Sequence, residues 1–222
     1  MNTNSNTYTV IYASVMVVIV AFVLAFTSSA LKNRQDENVR LDKMKQILSA
    51  LNVDASGQDV QSIYNQYIKN DLILDANGEV IAQEGGFTNE QAANSLTLYV
   101  AEVDGQTKYI IPLNGSGLWG AIWGYVALNN DKNTIYGTYF SHAGETPGLG
   151  AEITSQAFQA PFQGKEIMKD GNLVSVAVVK PGQSVSGQDY VDGISGGTIT
   201  SVAVENMLRD NLLQYSHFLT KE

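Results

Sequence analysis

The first 31 residues carry no charged side chain, and residues 10–30 are almost continuously apolar, interrupted mainly by Ser14, Thr27 and Ser28. A run of about 20 such residues crosses the hydrocarbon core of a bilayer as a single helix. A cleaved signal peptide would need a basic leading segment and a shorter apolar run, and neither is present. The apolar run therefore predicts a membrane anchor, and the 222-residue chain leaves room for one further domain of ordinary size. The expected organisation is an anchor over 1–31, a helical connecting segment over 32–70 and a folded domain over 71–222. Charge alone gives a divided view of orientation. Lys32, Arg34, Arg40, Lys43 and Lys45 follow the apolar run and favour a cytoplasmic domain, but Asp36, Glu37 and Asp42 are interleaved with them. Long domains also translocate largely regardless of charge.

Beyond the anchor the periodicity is helical. Leu41, Met44, Leu48 and Leu51 share one face, as do Val60, Ile63, Tyr64, Tyr67 and Ile68, with a break around residues 54–57. Strand signals follow. Residues 72–74 and 80–81 flank Asp75-Ala76-Asn77-Gly78, residues 96–103 and 108–113 flank Asp104-Gly105, and residues 119–128 and 135–140 flank a longer polar loop. Residues 173–179 read as one more strand. Val204, Leu208, Leu212, Tyr215 and Leu219 then predict a helix with one buried face. The fold class is α+β: one N-terminal transmembrane helix, then a soluble domain with a mostly antiparallel sheet and packed helices.

The net charge of −9 argues against a nucleic-acid partner. The absence of cysteine excludes disulfides, thiolate zinc sites and cysteine-ligated iron–sulfur clusters. His142 and His217 are the only histidines and form no ligand pattern, so no metal site is expected. There is no glycine fingerprint for a dinucleotide and no Walker loop, hence no NADH or ATP site of the chain's own.

Three glycine-bearing segments remain. Near the C-terminus stands Asp192-Gly193-Ile194-Ser195-Gly196-Gly197-Thr198-Ile199-Thr200-Ser201. Taken alone it reads as a surface turn leading into a helix, with Asp192 capping the turn. A helix start also offers free N–H groups to a phosphate, with Ser195, Gly196, Thr200 and Ser201 as further donors. Glu145-Thr146-Pro147-Gly148-Leu149-Gly150 has no helical or strand period and contains a Pro-Gly turn. Gly115-Ser116-Gly117-Leu118-Trp119-Gly120 is the third. Trp119 and Trp123 are expected on one face of a strand, as core or beside a ligand. Lys165 and Lys180 could reach a phosphate, Lys180 reading first as a solvated loop residue.

The first of these segments resembles the flavinylation motif of the FMN-domain family of membrane redox pumps, approximately Asp-x-x-Ser-Gly-Ala-Thr-x-Thr/Ser, with Gly197 in place of the usual alanine. The Glu-Thr-Pro-Gly-Leu-Gly string resembles a second motif of that family. The Gly-x-Gly-Leu-Trp string resembles a segment typical of the C-subunit family of bacterial Na⁺-translocating NADH:quinone reductases. The last two motifs along the chain are shared with the G-subunit family of Rnf-type ferredoxin:NAD⁺ complexes, which stays as the alternative, as does a cofactor-free membrane-anchored binding module.

The resemblance implies a covalent FMN on Thr198 through a phosphoester. It surrounds the phosphate with Ser195, Gly196, Gly197 and Thr200. Glu145, Thr146, Gly148, Leu149 and Gly150 are set against the isoalloxazine ring, with Gly117, Leu118 and Trp119 closing the other side. It also implies a periplasmic FMN domain on the inner membrane. The implied partners are the other proteins of the membrane complex and, during maturation, a flavin transferase that reads Asp192 within its signature. The redox chemistry would belong to the flavin and no residue of the chain is expected to be catalytic.

Overall fold

The structure, a computed structural model, describes residues 5–90 and 95–221; the outermost residues of the expected anchor and of the expected folded domain lie outside them. The chain forms two compact units, one ending at Lys43 and one beginning at Met44. The first unit is helical from Asn6 on, as part of α1 (Asn6–Ala50). Its apolar side chains face outward; Phe22 is 71% and Phe26 66% exposed. The helix is long and apolar enough to cross a membrane. Beyond the apolar stretch its surface becomes ionic, with Lys32–Asp36 at 3.3 Å and Arg40–Glu37 at 2.9 Å, paired at the spacings that adjoin on a helix.

The second unit begins with the last turns of α1, where Met44, Ile47 and Leu48 are buried. Asp59 caps α2 (Val60–Tyr67) by accepting from Gln61 N–H at 3.2 Å. The chain then passes directly into β1 (Ile68–Leu74), so Ile68 ends the helix and opens a strand. β2 (Val80–Ala82), the short α3 (Gly86–Asn89), β3 (Leu96–Val103), β4 (Gln106–Ser116), β5 (Ala121–Leu128) and β6 (Ile135–His142) follow. The six strands form one antiparallel sheet in the order β2-β1-β3-β4-β5-β6. Local chemistry sets its turns. Asp104 (φ 51°) and Gly105 (φ 73°) supply two successive positive φ values between Val103 and its partner Gln106, as a twist-matched two-residue hairpin requires.

Side chains alternate across the sheet. Ile111 and Leu113 of β4 and Ile122, Val126 and Leu128 of β5 join the main core with Val204, Met207, Leu208 and Leu212 of the C-terminal helix, called α5 below. Gly115 permits the close approach of that helix, since a Cβ there would lie 2.9 Å from Met207 Cβ. On the other face Trp123 Nε1 donates to Gln46 at 3.1 Å. There Tyr99 and Tyr125 donate to Glu90, Tyr125 at 3.1 Å. Burial, and then the Glu90 charge, push both phenols well above the usual tyrosine range.

After β6 come the short α4 (Gln156–Gln159), β7 (Met168–Lys169), β8 (Asn172–Leu173), β9 (Ala177–Val179), β10 (Tyr190–Asp192), α5 (Thr198–Gln214) and α6 (Ser216–Thr220). The sequence reading differs here in three places. Residues 173–179 are not one strand: Ser175 stands at φ 62°, and the two ends pair with different partners. β9 and β10 pair in parallel, which no local pattern announced. The C-terminal helix is interrupted at Tyr215, whose hydroxyl reaches across to Thr97 O at 2.7 Å.

Leu208 is fully buried and Leu213 is 48% exposed. Leu208→Ala should therefore cost about 2–5 kcal/mol and Leu213→Ala no more than about 0.5 kcal/mol, read from thermal melts of the detergent-solubilised chain. Equal losses would show that α5 does not dock through the Leu208 face.

Candidate functional site

The site is built from three segments that leave the ends of different elements. The first is the β4–β5 connection. Strand pairing runs to Ser116 and resumes at Ala121, and Gly117 N–H donates to Gly120 O at 2.8 Å, so Leu118 and Trp119 form the tip of a tight hairpin. Both project outward, 48% and 68% exposed. Trp119 thus precedes the strand rather than sharing a face with Trp123, because the extended β4 pairing shifts the turn onto residues 117–120. The second segment leaves β6 at His142 and turns at Gly148 (φ 74°) before a 3₁₀ turn over Gly150–Thr154. The third leaves β10, turns at Gly196 (φ 78°) and opens α5 at Thr198.

One carboxylate joins them. Glu145 is 4% exposed. Its Oε1 accepts from Trp119 N–H at 2.9 Å and its Oε2 from the Thr200 hydroxyl at 2.6 Å. Its own N–H donates to His142 Nδ1 at 3.1 Å. Glycines allow the approach from either side: a Cβ at Gly117 would lie 2.5 Å from Oε1, and one at Gly150 2.5 Å from Oε2. Burial pulls the Glu145 pKa upward, but the Thr200 hydroxyl, the Trp119 and Leu118 N–H groups and nearby His142 outweigh it, and the net value lies below the usual carboxylate range.

A cavity of about 440 Å³ opens above this junction, lined by Leu118, Trp119, Glu145, Thr146, Leu149, Gly150, Gly196, Gly197, Thr198, Ile199 and Thr200. The structure thereby brings ten of the thirteen residues singled out in the sequence around one cavity. Gly117 and Gly148 shape the turns behind it. Ser195 lines a neighbouring cavity together with Gly196 and Thr198. Leu149, 41% exposed, packs against the glycine turn, where a Cβ at Gly196 would meet its Cδ2 at 2.8 Å.

Two expected donors are otherwise engaged. The Thr200 hydroxyl is taken by Glu145, and the Ser201 hydroxyl donates to Gly197 O at 2.9 Å while accepting from Ile194 N–H at 2.9 Å. Both residues are buried, whereas Thr198 is exposed. Ser201, not Asp192, caps the turn; among the described residues the Asp192 side chain makes no hydrogen bond. Ile199 was missed by sequence reasoning. It is 60% exposed at the rim, and its only signal was an apolar residue between two threonines.

Residues 117–212 match the model of the FMN-binding domain family. The C subunit of the Na⁺-translocating NADH-quinone reductase of Vibrio vulnificus strain YJ016 is 31% identical over 210 residues, spanning 84% of this chain and 82% of its own length. The chain belongs to the C-subunit family of Na⁺-translocating NADH-quinone reductases. The Haemophilus ducreyi family member is 30% identical over 229 residues, covering 92% of this chain and 88% of its own. The crystal structure of the family member from Parabacteroides distasonis ATCC 8503 superposes with a TM-score of 0.82 at 49% identity, covering 86% of this chain and 98% of that one.

In this member of the family the cavity suits an FMN by its chemistry. It has the size of small-ligand sites. Its lining carries large apolar side chains for a flat ring and the exposed hydroxyl of Thr198.

Because the folded Glu145 pKa lies below its ordinary 4.5, the stability it contributes is fully present above the unfolded value and is lost as pH falls through the folded one. Thr200→Val should cost about 1–3 kcal/mol at neutral pH, and the gap to wild type should narrow below pH 4.5 in melts of the solubilised chain. A gap that stays constant into the acid range would show that the ionised carboxylate is not what Thr200 serves.

Proposed function

We propose that this chain is the membrane-anchored electron-carrier subunit of a Na⁺-translocating NADH:quinone reductase, holding FMN covalently on Thr198 through a phosphoester. The observation that carries this reading is the contrast among neighbouring hydroxyls. Thr198 is exposed at the rim of the cavity, while Thr200 and Ser201 are buried and hydrogen-bonded. Of the three hydroxyls in the first turn of α5, that of Thr198 alone is accessible, and it stands next to apolar walls that suit a flavin.

FMN, when bound, supplies the one- and two-electron carriage that no side chain here can provide. The chain's own residues hold it. Trp119 and Leu118 on the hairpin tip and Leu149 on the second segment cover ring faces. Thr146 bonds at the ring edge, and the backbone of residues 195–197 surrounds the phosphate. Glu145 holds these segments together and places a negative charge beneath the ring. Within this reading residues 1–31 anchor the chain, 32–70 connect and 71–222 carry the flavin. The domain faces the periplasm, and a flavin transferase loads it before it exchanges electrons with the other proteins of the complex.

Thr198→Ala should abolish flavin fluorescence on a denaturing gel viewed under ultraviolet light, with the native melt unchanged. A fluorescent band from the variant would place the attachment elsewhere. For topology, a reporter active only in the periplasm and fused after the last residue should be active; activity of a cytoplasmic reporter in its stead would reverse the orientation.

A further inference from the structure

Thr198 lines two cavities, the one described above and a second of about 340 Å³. The second is formed where two loops leave the sheet of β9 and β10 side by side. Those strands are parallel, with Ala177 opposite Tyr190 and Val179 opposite Asp192, and Gly193 N–H donates to Val179 O at 2.6 Å. Parallel pairing brings both C-terminal ends to the same edge. The loop after β9 carries Lys180, and the loop after β10 carries the glycine turn and Thr198. Gln183 N–H donates to Lys180 O at 2.9 Å, and Gly182 stands at φ 80°, so a tight turn fixes the lysine backbone.

Lys180 is the one cation lining either cavity, and among the described residues its side chain makes no hydrogen bond or ion pair. Lys165, the other candidate, lies over the Tyr190 ring at 6.0 Å and lines neither. A phosphodiester at Thr198 keeps one negative charge. It would sit in a chain of net charge −9, close to the ionised Glu145. A nearby cation offsets that repulsion.

We propose that Lys180 is the cationic partner of the phosphate joined to Thr198, reaching it across the second cavity. The proposal rests on the attachment reading above and adds a positioning residue to it.

The test uses the full chain co-expressed with a flavin transferase and sampled over time. In-gel fluorescence measures covalent loading, and phosphorus NMR of the loaded folded protein reports the environment of the phosphate. Lys180→Gln should load roughly three- to fivefold more slowly, as for loss of one partly solvated ion pair. Its phosphorus resonance should move from the wild-type position, and Lys180→Arg should restore both. Lys180 is an exposed loop residue, so the melt of each variant should match wild type. A Lys180→Gln protein with wild-type loading and an unmoved resonance overturns the proposal, as does an arginine variant that rescues neither. A dark wild-type band, or a fluorescent Thr198→Ala band, instead overturns the attachment itself and the proposal with it.

Discussion

Glu145 carries a buried carboxylate, and the site geometry depends on how that charge is satisfied. Removing a carboxylate from water costs several kcal/mol unless hydrogen bonds replace its hydration. Here the donors come from both neighbouring segments, the hairpin tip at Trp119 and the first turn of α5 at Thr200. Satisfying the charge therefore fixes the relative positions of pieces far apart in the chain. Gly117 and Gly150 stand on either side because any side chain there would overlap the carboxylate oxygens. The cavity is lined by residues of all three segments that this carboxylate joins.

The sheet makes this convergence possible. Loops gather function at strand ends because the rigid strands position them while the loops stay free of ladder constraints. β4, β5 and β6 deliver the first two segments at one end of the antiparallel sheet, and α5, docked on β4 through Val204, Met207 and Leu208, delivers the third. The small parallel pair of β9 and β10 adds a second convergence, bringing the Lys180 loop beside the Thr198 turn. The chain thus combines an apolar helix able to hold it in a bilayer with an FMN-binding-family domain whose candidate site lies in surface loops.

Much of this was legible in the sequence. The anchor followed from an uncharged apolar run, because the bilayer imposes a length and a polarity that few other structures meet. The hairpins at Asp75-Ala76-Asn77-Gly78 and Asp104-Gly105 followed from turn chemistry that is local. The three glycine-bearing motifs marked the segments of the site, since close approach and positive φ restrict residue choice at positions such as Gly148 and Gly196. These features are set by interactions within a few residues, or by the solvent around the helix.

The rest was decided by tertiary structure. The motif singled out Thr198 by position, but only burial against Glu145 and the glycine turn removes the Thr200 and Ser201 hydroxyls from the surface. Trp119 and Trp123 look equivalent at a spacing of four, yet extension of β4 to Ser116 puts one at an exposed tip and the other in the sheet. Ser175 breaks an apparent strand, and Lys180 finds its place only through parallel pairing with a segment more than ten residues on. Sequence determined the anchor, the turns and the chemistry available. The long-range pairing and the satisfaction of one buried charge decided which groups meet, because the energy of those contacts depends on partners that the local chain does not contain.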